Sequence, residues 1–104
     1  MITEDYVSFE TARLLKENGF DEECQQYYGD YKYPCPTLQM AMKWLRKKYN
    51  IHIEPRYFPT PNIYRYVIIH TPVTFKNIDS HPQYFNTYEE ACEDGIKYCL
   101  ENLI

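Results

Sequence analysis

Two runs between Ile51 and residue 71 constrain the fold more than any other part of the chain. IHIEPRYF (51–58) and IYRYVIIHT (63–71) both alternate, and Pro59-Thr60-Pro61-Asn62 separates them. Alternation with period two marks strands, and a short break rich in Pro and Asn marks a turn. The two runs therefore read as an antiparallel hairpin. With Phe58 opposite Ile63, one face carries Ile51, Ile53, Tyr57, Tyr64, Tyr66 and Ile68, and the other His52, Glu54, Arg56, Arg65, Val67 and Ile69. The first face is the candidate core; a slip of one residue would exchange the two. Pro55 has no N–H to give a ladder, so the first strand is an edge or holds a bulge.

A lone hairpin cannot bury its apolar face, and the flanking sequence supplies three helices. Ser8 can cap a helix over 9–18, with Gly19 as the left-handed residue after it and Phe20 folding back on Leu15. Phe9, Ala12, Leu15 and Leu14 form its expected buried stripe. Thr37 caps a second helix over 38–49, where Leu38, Ala41, Met42, Leu45 and Tyr49 share one face and Met40 and Trp44 form a second stripe. Thr87-Tyr88-Glu89-Glu90 is a capping box that opens a third helix to about residue 102. Its expected inner stripe is Tyr88, Cys92, Gly95, Ile96, Cys99 and Leu103, flanked by Ala91 and Leu100. Glu93, Asp94, Lys97 and Glu101 fall on its expected outer face. A glycine on an inner stripe implies close approach of a backbone or a bulky aromatic, since Gly costs about 1 kcal/mol against Ala in a helix. Gly29-Asp30 sits among Tyr27, Tyr28, Tyr31 and Tyr33, where a small irregular hairpin is expected, and 83–86 is a candidate third strand of the main sheet. The sum is a single α+β domain over 1–104: three helices packed on a small antiparallel sheet of two or three strands, ordered α-α-β-β-(β)-α.

The core must be thin. Leu, Ile, Val, Met and Phe number 26 of 104 residues, against twelve tyrosines. Tyr must then supply buried surface, or remain outside where interfaces use it. Tyr49 and Tyr88 hold stripe positions and read as core. Tyr27, Tyr28, Tyr31 and Tyr33 have no such position and are the candidate protein interface.

Charge is distributed unevenly. The net charge is −4, but 1–30 carries −6, 31–78 carries +7 and 79–104 carries −5. The reading preferred here is that acidic ends fold back beside a basic middle. The alternative is an anion-binding face, for which Lys43, Arg46, Lys47, Lys48, Arg56 and Arg65 are the candidate nucleic-acid contacts. They interleave with Trp44, Tyr49, Tyr57, Tyr64 and Tyr66, as single-strand binders combine cations with rings. The order helix, strands, helix also resembles the double-stranded-RNA-binding domain. That family presents lysines at the start of its last helix, where this chain has Glu89, Glu90, Glu93 and Asp94.

The sequence points away from enzymes. It has no G-x-S-x-G, no H-E-x-x-H and no glycine loop for phosphate, so no catalytic residue is assigned. Cys24, Cys35, Cys92 and Cys99 contain no C-x-x-C pair, and they read as reduced thiols of a cytoplasmic protein. His52, His70 and His81 are scattered, with His52 and His70 on opposite hairpin faces, so neither metal nor cofactor is expected. No run of 18 apolar residues occurs, so no membrane span is expected. Met1-Ile2-Thr3-Glu4-Asp5 does not read as a secretory leader.

Three stretches carry a family resemblance: YVSFETARLLKENGF (6–20), PTLQMAMKWLRKKYNIHI (36–53) and TYEEACEDGIKYCLENLI (87–104). They resemble small uncharacterised proteins encoded by gut Bacteroidales, their phages and mobile elements. In that family the segment matching 21–35 and the hairpin vary, and 21–35 here is short for a full extra hairpin. The resemblance implies a bacterial cytoplasmic setting and a phage accessory role, and it brings no catalytic residues. The expected function is a non-enzymatic protein-interaction module with an unidentified protein partner, which a homodimer would also satisfy. Nucleic-acid binding is the alternative.

Overall fold

A computed structural model describes residues 2–70, 78–80 and 83–104. Along the chain lie α1 (Phe9–Glu17), β1 (Gln26–Tyr28), β2 (Tyr33–Cys35), α2 (Leu38–Tyr49), β3 (Ile51–Phe58), β4 (Ile63–His70), β5 (Ile78–Ser80) and α3 (Tyr88–Asn102). The class is α+β as expected. Two antiparallel sheets form, β1-β2 and β3-β4-β5. The small irregular hairpin forms, with strands of three residues each and Gly29, Asp30 and Tyr31 all at positive φ in its turn.

Helix ends follow their capping chemistry. Ser8, Thr37 and Thr87 each accept from a backbone N–H three residues on. Gly19 takes φ +97°, and Phe20 N–H donates to Leu15 O at 2.9 Å while Gly19 N–H donates to Lys16 O at 3.1 Å. These are the two bonds of a Schellman ending. Asn50 closes α2 at φ 56° in the left-handed region, so the chain turns from α2 into β3 with no intervening loop.

The hairpin has the expected register, Phe58 opposite Ile63 and Ile51 opposite His70. Ile51, Ile53, Tyr66 and Ile68 are buried, which identifies the core face. β3 is the edge strand that Pro55 implied, and its pairing runs unbroken, so no bulge forms. Tyr64 exchanges both backbone hydrogen bonds with Phe85, at 2.8 Å each, on the far side of β4. Tyr57↔Tyr64 is therefore a non-hydrogen-bonded pair of the hairpin, and by alternation so is Pro55↔Tyr66. The missing N–H of Pro55 thus falls on the outer edge of β3, where it costs the sheet no bond.

The third strand differs from expectation. It is Ile78–Ser80, paired with Val67, Ile68 and Ile69 of β4. Within 83–86 only Phe85 bridges to β4. The capping box explains why no strand extends there: Glu90 Oε1 takes the backbone N–H groups of Asn86 and Thr87 at 3.1 and 3.2 Å.

One core draws on all three helices and on β2, β3 and β4. The molecule is thin, with extents of 42 × 39 × 19 Å, because α2 and α3 lie on the Ile51/Ile53/Tyr66/Ile68 face of the sheet. Gly95 lets α3 approach the sheet closely. A Cβ there would lie 3.0 Å from Ile53 Cγ2 and 3.4 Å from the Tyr66 ring, so the expected bulky aromatic is Tyr66. The expected outer face of α3 proves to be a set of cross-links. Glu93 accepts from the Ser8 hydroxyl at 2.7 Å, from Ser8 N–H at 3.2 Å and from the Thr11 hydroxyl. Asp94 accepts from the Tyr66 hydroxyl at 2.8 Å, and Lys97 pairs with Glu10. The acidic ends are thus joined to each other by Lys97 and Glu10, while Arg13 pairs with Glu17 and Arg56 with Glu54 inside their own segments.

Candidate functional site

Two groups of tyrosines gather toward the surface, while Tyr49 and Tyr98 pack partly buried against the core. All twelve are described, and Tyr66 is the one that is fully buried. In the β1-β2 hairpin, Tyr28 and Tyr33 are register partners. Both set their edges against Phe9, with centroids 5.5 and 5.4 Å away, and the Tyr28 hydroxyl donates to Val7 O at 3.0 Å. The ammonium groups of Lys16 and Lys32 lie over the Tyr33 ring at 5.5 and 5.3 Å. These two tyrosines therefore anchor the hairpin to α1. Tyr27 and Tyr31 pair on their own, centroids 5.3 Å apart, and Tyr31 is 81% exposed. Of the four residues expected at an interface, Tyr31 is exposed, and Tyr27 is half-buried with its hydroxyl accepting from Cys24 N–H at 3.3 Å. Phe9 was expected in the buried stripe and is 47% exposed. It opens α1, and side chains at a helix start point beyond the helix, here toward the hairpin rather than the core.

The second cluster lies where β3-β4 extends beyond the helical layer. Tyr57 and Tyr64 rings are 5.0 Å apart, and Tyr88 sits edge-on to Tyr64 at 6.4 Å. Tyr57 shares a face with Ile53 but is 51% exposed, and Phe58 beside it is 41% exposed. Tyr88, expected as core, is at the surface; its hydroxyl accepts from Gln39 Nε2 at 3.2 Å. Tyr84 lies under the Arg65 guanidinium at 5.2 Å. Tyr49 is half-buried, with its hydroxyl 3.4 Å from Asn18 O.

The six candidate nucleic-acid contacts do not form one surface. Arg56 and Arg65 oppose each other on the sheet face turned away from the helices, and Arg56 pairs with Glu54 at 3.2 Å. Lys43, Arg46, Lys47 and Lys48 lie on the exposed side of α2, with the core and the sheet between them and the arginines. The strand period also separates Arg56 and Arg65 from Tyr57, Tyr64 and Tyr66, so interleaving in sequence becomes segregation in space. Lys43, Lys47 and Lys48 do share a groove of about 550 Å³ with Met40, Trp44 and Glu22. A larger cleft of about 710 Å³ opens between α1 and the start of α3, and Asp5, Glu10, Glu89, Glu90, Glu93 and Asp94 give it an acidic lining.

The thiols and imidazoles stay apart. His52 faces Ile69 and His70 faces Ile51, hence opposite sheet faces, as expected; His81 lies outside the described residues. Cys35, Cys92 and Cys99 are buried and Cys24 is half-buried, none in a disulfide. Burial pushes the Cys92 thiol up to about 11 and raises Cys24 and Cys35, so these groups are thiols at neutral pH. Among the described residues no three His, Cys, Asp or Glu side chains gather as a metal site would, and no helix is long and apolar enough to cross a membrane. Compared with known proteins, the chain matches no family model, no curated protein and no solved structure.

Proposed function

We propose that this chain is a non-enzymatic protein-interaction module, an accessory protein of a bacterial phage or mobile element working in the cytoplasm. One observation carries the reading. Large rings stay at the surface in two groups, with Tyr31 81% exposed in one and Tyr57 51% exposed in the other. Tyr and other aromatics are enriched at interfaces because they bury much area while losing few rotamers. The resemblance of 6–20, 36–53 and 87–104 to gut Bacteroidales proteins supplies the setting. Nucleic acid has less support, since its six cations are split between opposite sides.

The test compares the purified chain with a Tyr31→Ser/Tyr57→Ser variant by light scattering and by capture from host extract. The expected result is a dimer, or a captured protein, that the variant loses while its circular dichroism stays unchanged. A strict monomer that captures nothing the variant does not also capture would overturn the proposal.

A further inference from the structure

We infer that the exposed side of α2 is a second binding site, specific for an acidic amphipathic peptide segment. It goes beyond the tyrosine surfaces and uses none of their residues. Three observations converge on it. The helix sequence LQMAMKWLRKKY contains no acidic residue. Lys43 and Lys47, one turn apart, repel each other on its surface. Among the described residues Lys43, Arg46 and Lys47 form no ion pair. The helix dipole accounts for cations in the last turn, which are Arg46, Lys47 and Lys48. It does not account for Lys43, which lies a turn earlier.

The groove beside these lysines has an apolar floor. Met40, 40% exposed, and the half-buried Trp44 line it together with Lys43, Lys47 and Lys48, and Glu22 is its one acidic lining residue. An apolar strip bordered by cations fits a helix with Leu or Phe on one side and Glu or Asp beside them. Methionine adapts to such varied apolar partners. From Met40 to Lys48 is about 12 Å of helix axis, which suits about two turns of a partner.

The same features disfavour a nucleic-acid strand. Single-strand binding needs open ring faces for bases. The Trp44 ring is already engaged, with Lys48 Nζ 5.2 Å above its centroid and Phe20 set against it at 5.4 Å. Lys48 also spans the Tyr49 ring at 5.7 Å. A long polyanion would reach past the groove into the field of a chain with net charge −4, whereas a short peptide meets three lysines against the single carboxylate of Glu22.

Trp44 is the chain's one tryptophan, so its emission reports on this groove directly. The probe is a Trp-free synthetic peptide of about four helical turns, apolar on one face and Glu/Asp-rich on the other. Its addition should shift Trp44 emission saturably, and salt should weaken the effect. Lys43→Ala/Lys47→Ala should reduce affinity about tenfold, and Met40→Glu should reduce it as well, both with unchanged circular dichroism. The Tyr31→Ser/Tyr57→Ser variant should bind the peptide normally, which separates this site from the tyrosine surfaces. No emission change overturns the inference. So does equal binding of polyglutamate of matched charge, which would reduce the site to charge alone, or tighter binding of an oligonucleotide.

Discussion

Glu93 shows how a residue's role depends on what faces it. In sequence it sits in the second turn of α3, where its own helix dipole would favour an anion. In the structure it reaches the N-terminus of α1 and accepts from Ser8 N–H, the Ser8 hydroxyl and the Thr11 hydroxyl. The start of a helix is where unpaired N–H groups and the dipole favour a carboxylate. Thr11 is fully buried, so losing its acceptor would strand a polar group. Glu93→Gln keeps one oxygen acceptor but puts an NH2 in place of the other, so either Ser8 N–H or the Ser8 and Thr11 hydroxyls face a donor. The cost should be about 1.5–3 kcal/mol, the range for hydrogen bonds to charged groups, read from the urea midpoint. An unchanged midpoint would mean solvent serves Ser8 and Thr11 equally well. Gly95 gives the opposite kind of prediction. Gly95→Ala gains about 1 kcal/mol of helix propensity but places a methyl 3.0 Å from Ile53 Cγ2. Ile53 is β-branched and buried, and Tyr66 behind it is held by Asp94, so neither neighbour can give way. Overpacking of this kind costs about 1–3 kcal/mol, and the variant should be less stable than the wild type despite its better helix former.

Between elements, a surface ion pair and a strand edge make separate predictions. Lys97 holds the Glu10 carboxyl below its ordinary range, and Glu10 raises Lys97 in turn. A lowered carboxyl contributes stability above its unfolded pKa and loses it as pH falls through the folded value. A raised lysine contributes below its unfolded pKa and loses it as pH rises through the folded value. The melting temperature of Glu10→Gln should thus fall below wild type at neutral pH, and the two should converge in acid. The edge of β3 concerns association instead. Pro55 interrupts a row of outward N–H groups between Ile53 and Tyr57, a device that keeps free edges from pairing. Pro55→Val should restore that row and raise light scattering with concentration, with little change in the monomer's stability. The element scale also shows what the sequence could disclose. Caps and periodicity placed α2 at its observed ends, and alternation sorted the hairpin residues onto two faces once Phe58 stood opposite Ile63, because both are local chemistry. The third strand was misplaced because the competition between strand pairing and the Glu90 capping box is settled in three dimensions. Tyr57 and Tyr88 were assigned to the right faces, but periodicity says which residues share a face and not where the covering layer stops.

For the molecule as a whole, the small core is read by the cysteines that lie in it. Cys35, Cys92 and Cys99 come from β2 and from both turns of α3 that press on the sheet, and each is buried. Cys24 lies outside, half-buried before β1. The candidate interface was less legible than the fold for a related reason. Tyr27, Tyr28, Tyr31 and Tyr33 look equivalent in sequence, and only the folded hairpin sends Tyr28 and Tyr33 to Phe9 while Tyr31, in the turn, stays exposed. A thiol reagent can test whether the layers open together. Attack requires a thiolate in contact with solvent, and burial both hides the three inner thiols and raises Cys35 and Cys92. In native buffer at mildly alkaline pH, Cys24 should react first and alone. The other three should follow together, at a rate that tracks global unfolding as urea is added. If Cys35 instead reacts well ahead of Cys92 and Cys99, the β1-β2 hairpin and α1 detach as a separate unit. The Phe9, Tyr28 and Tyr33 contacts would then be a hinge between two parts of the molecule rather than a seam within one.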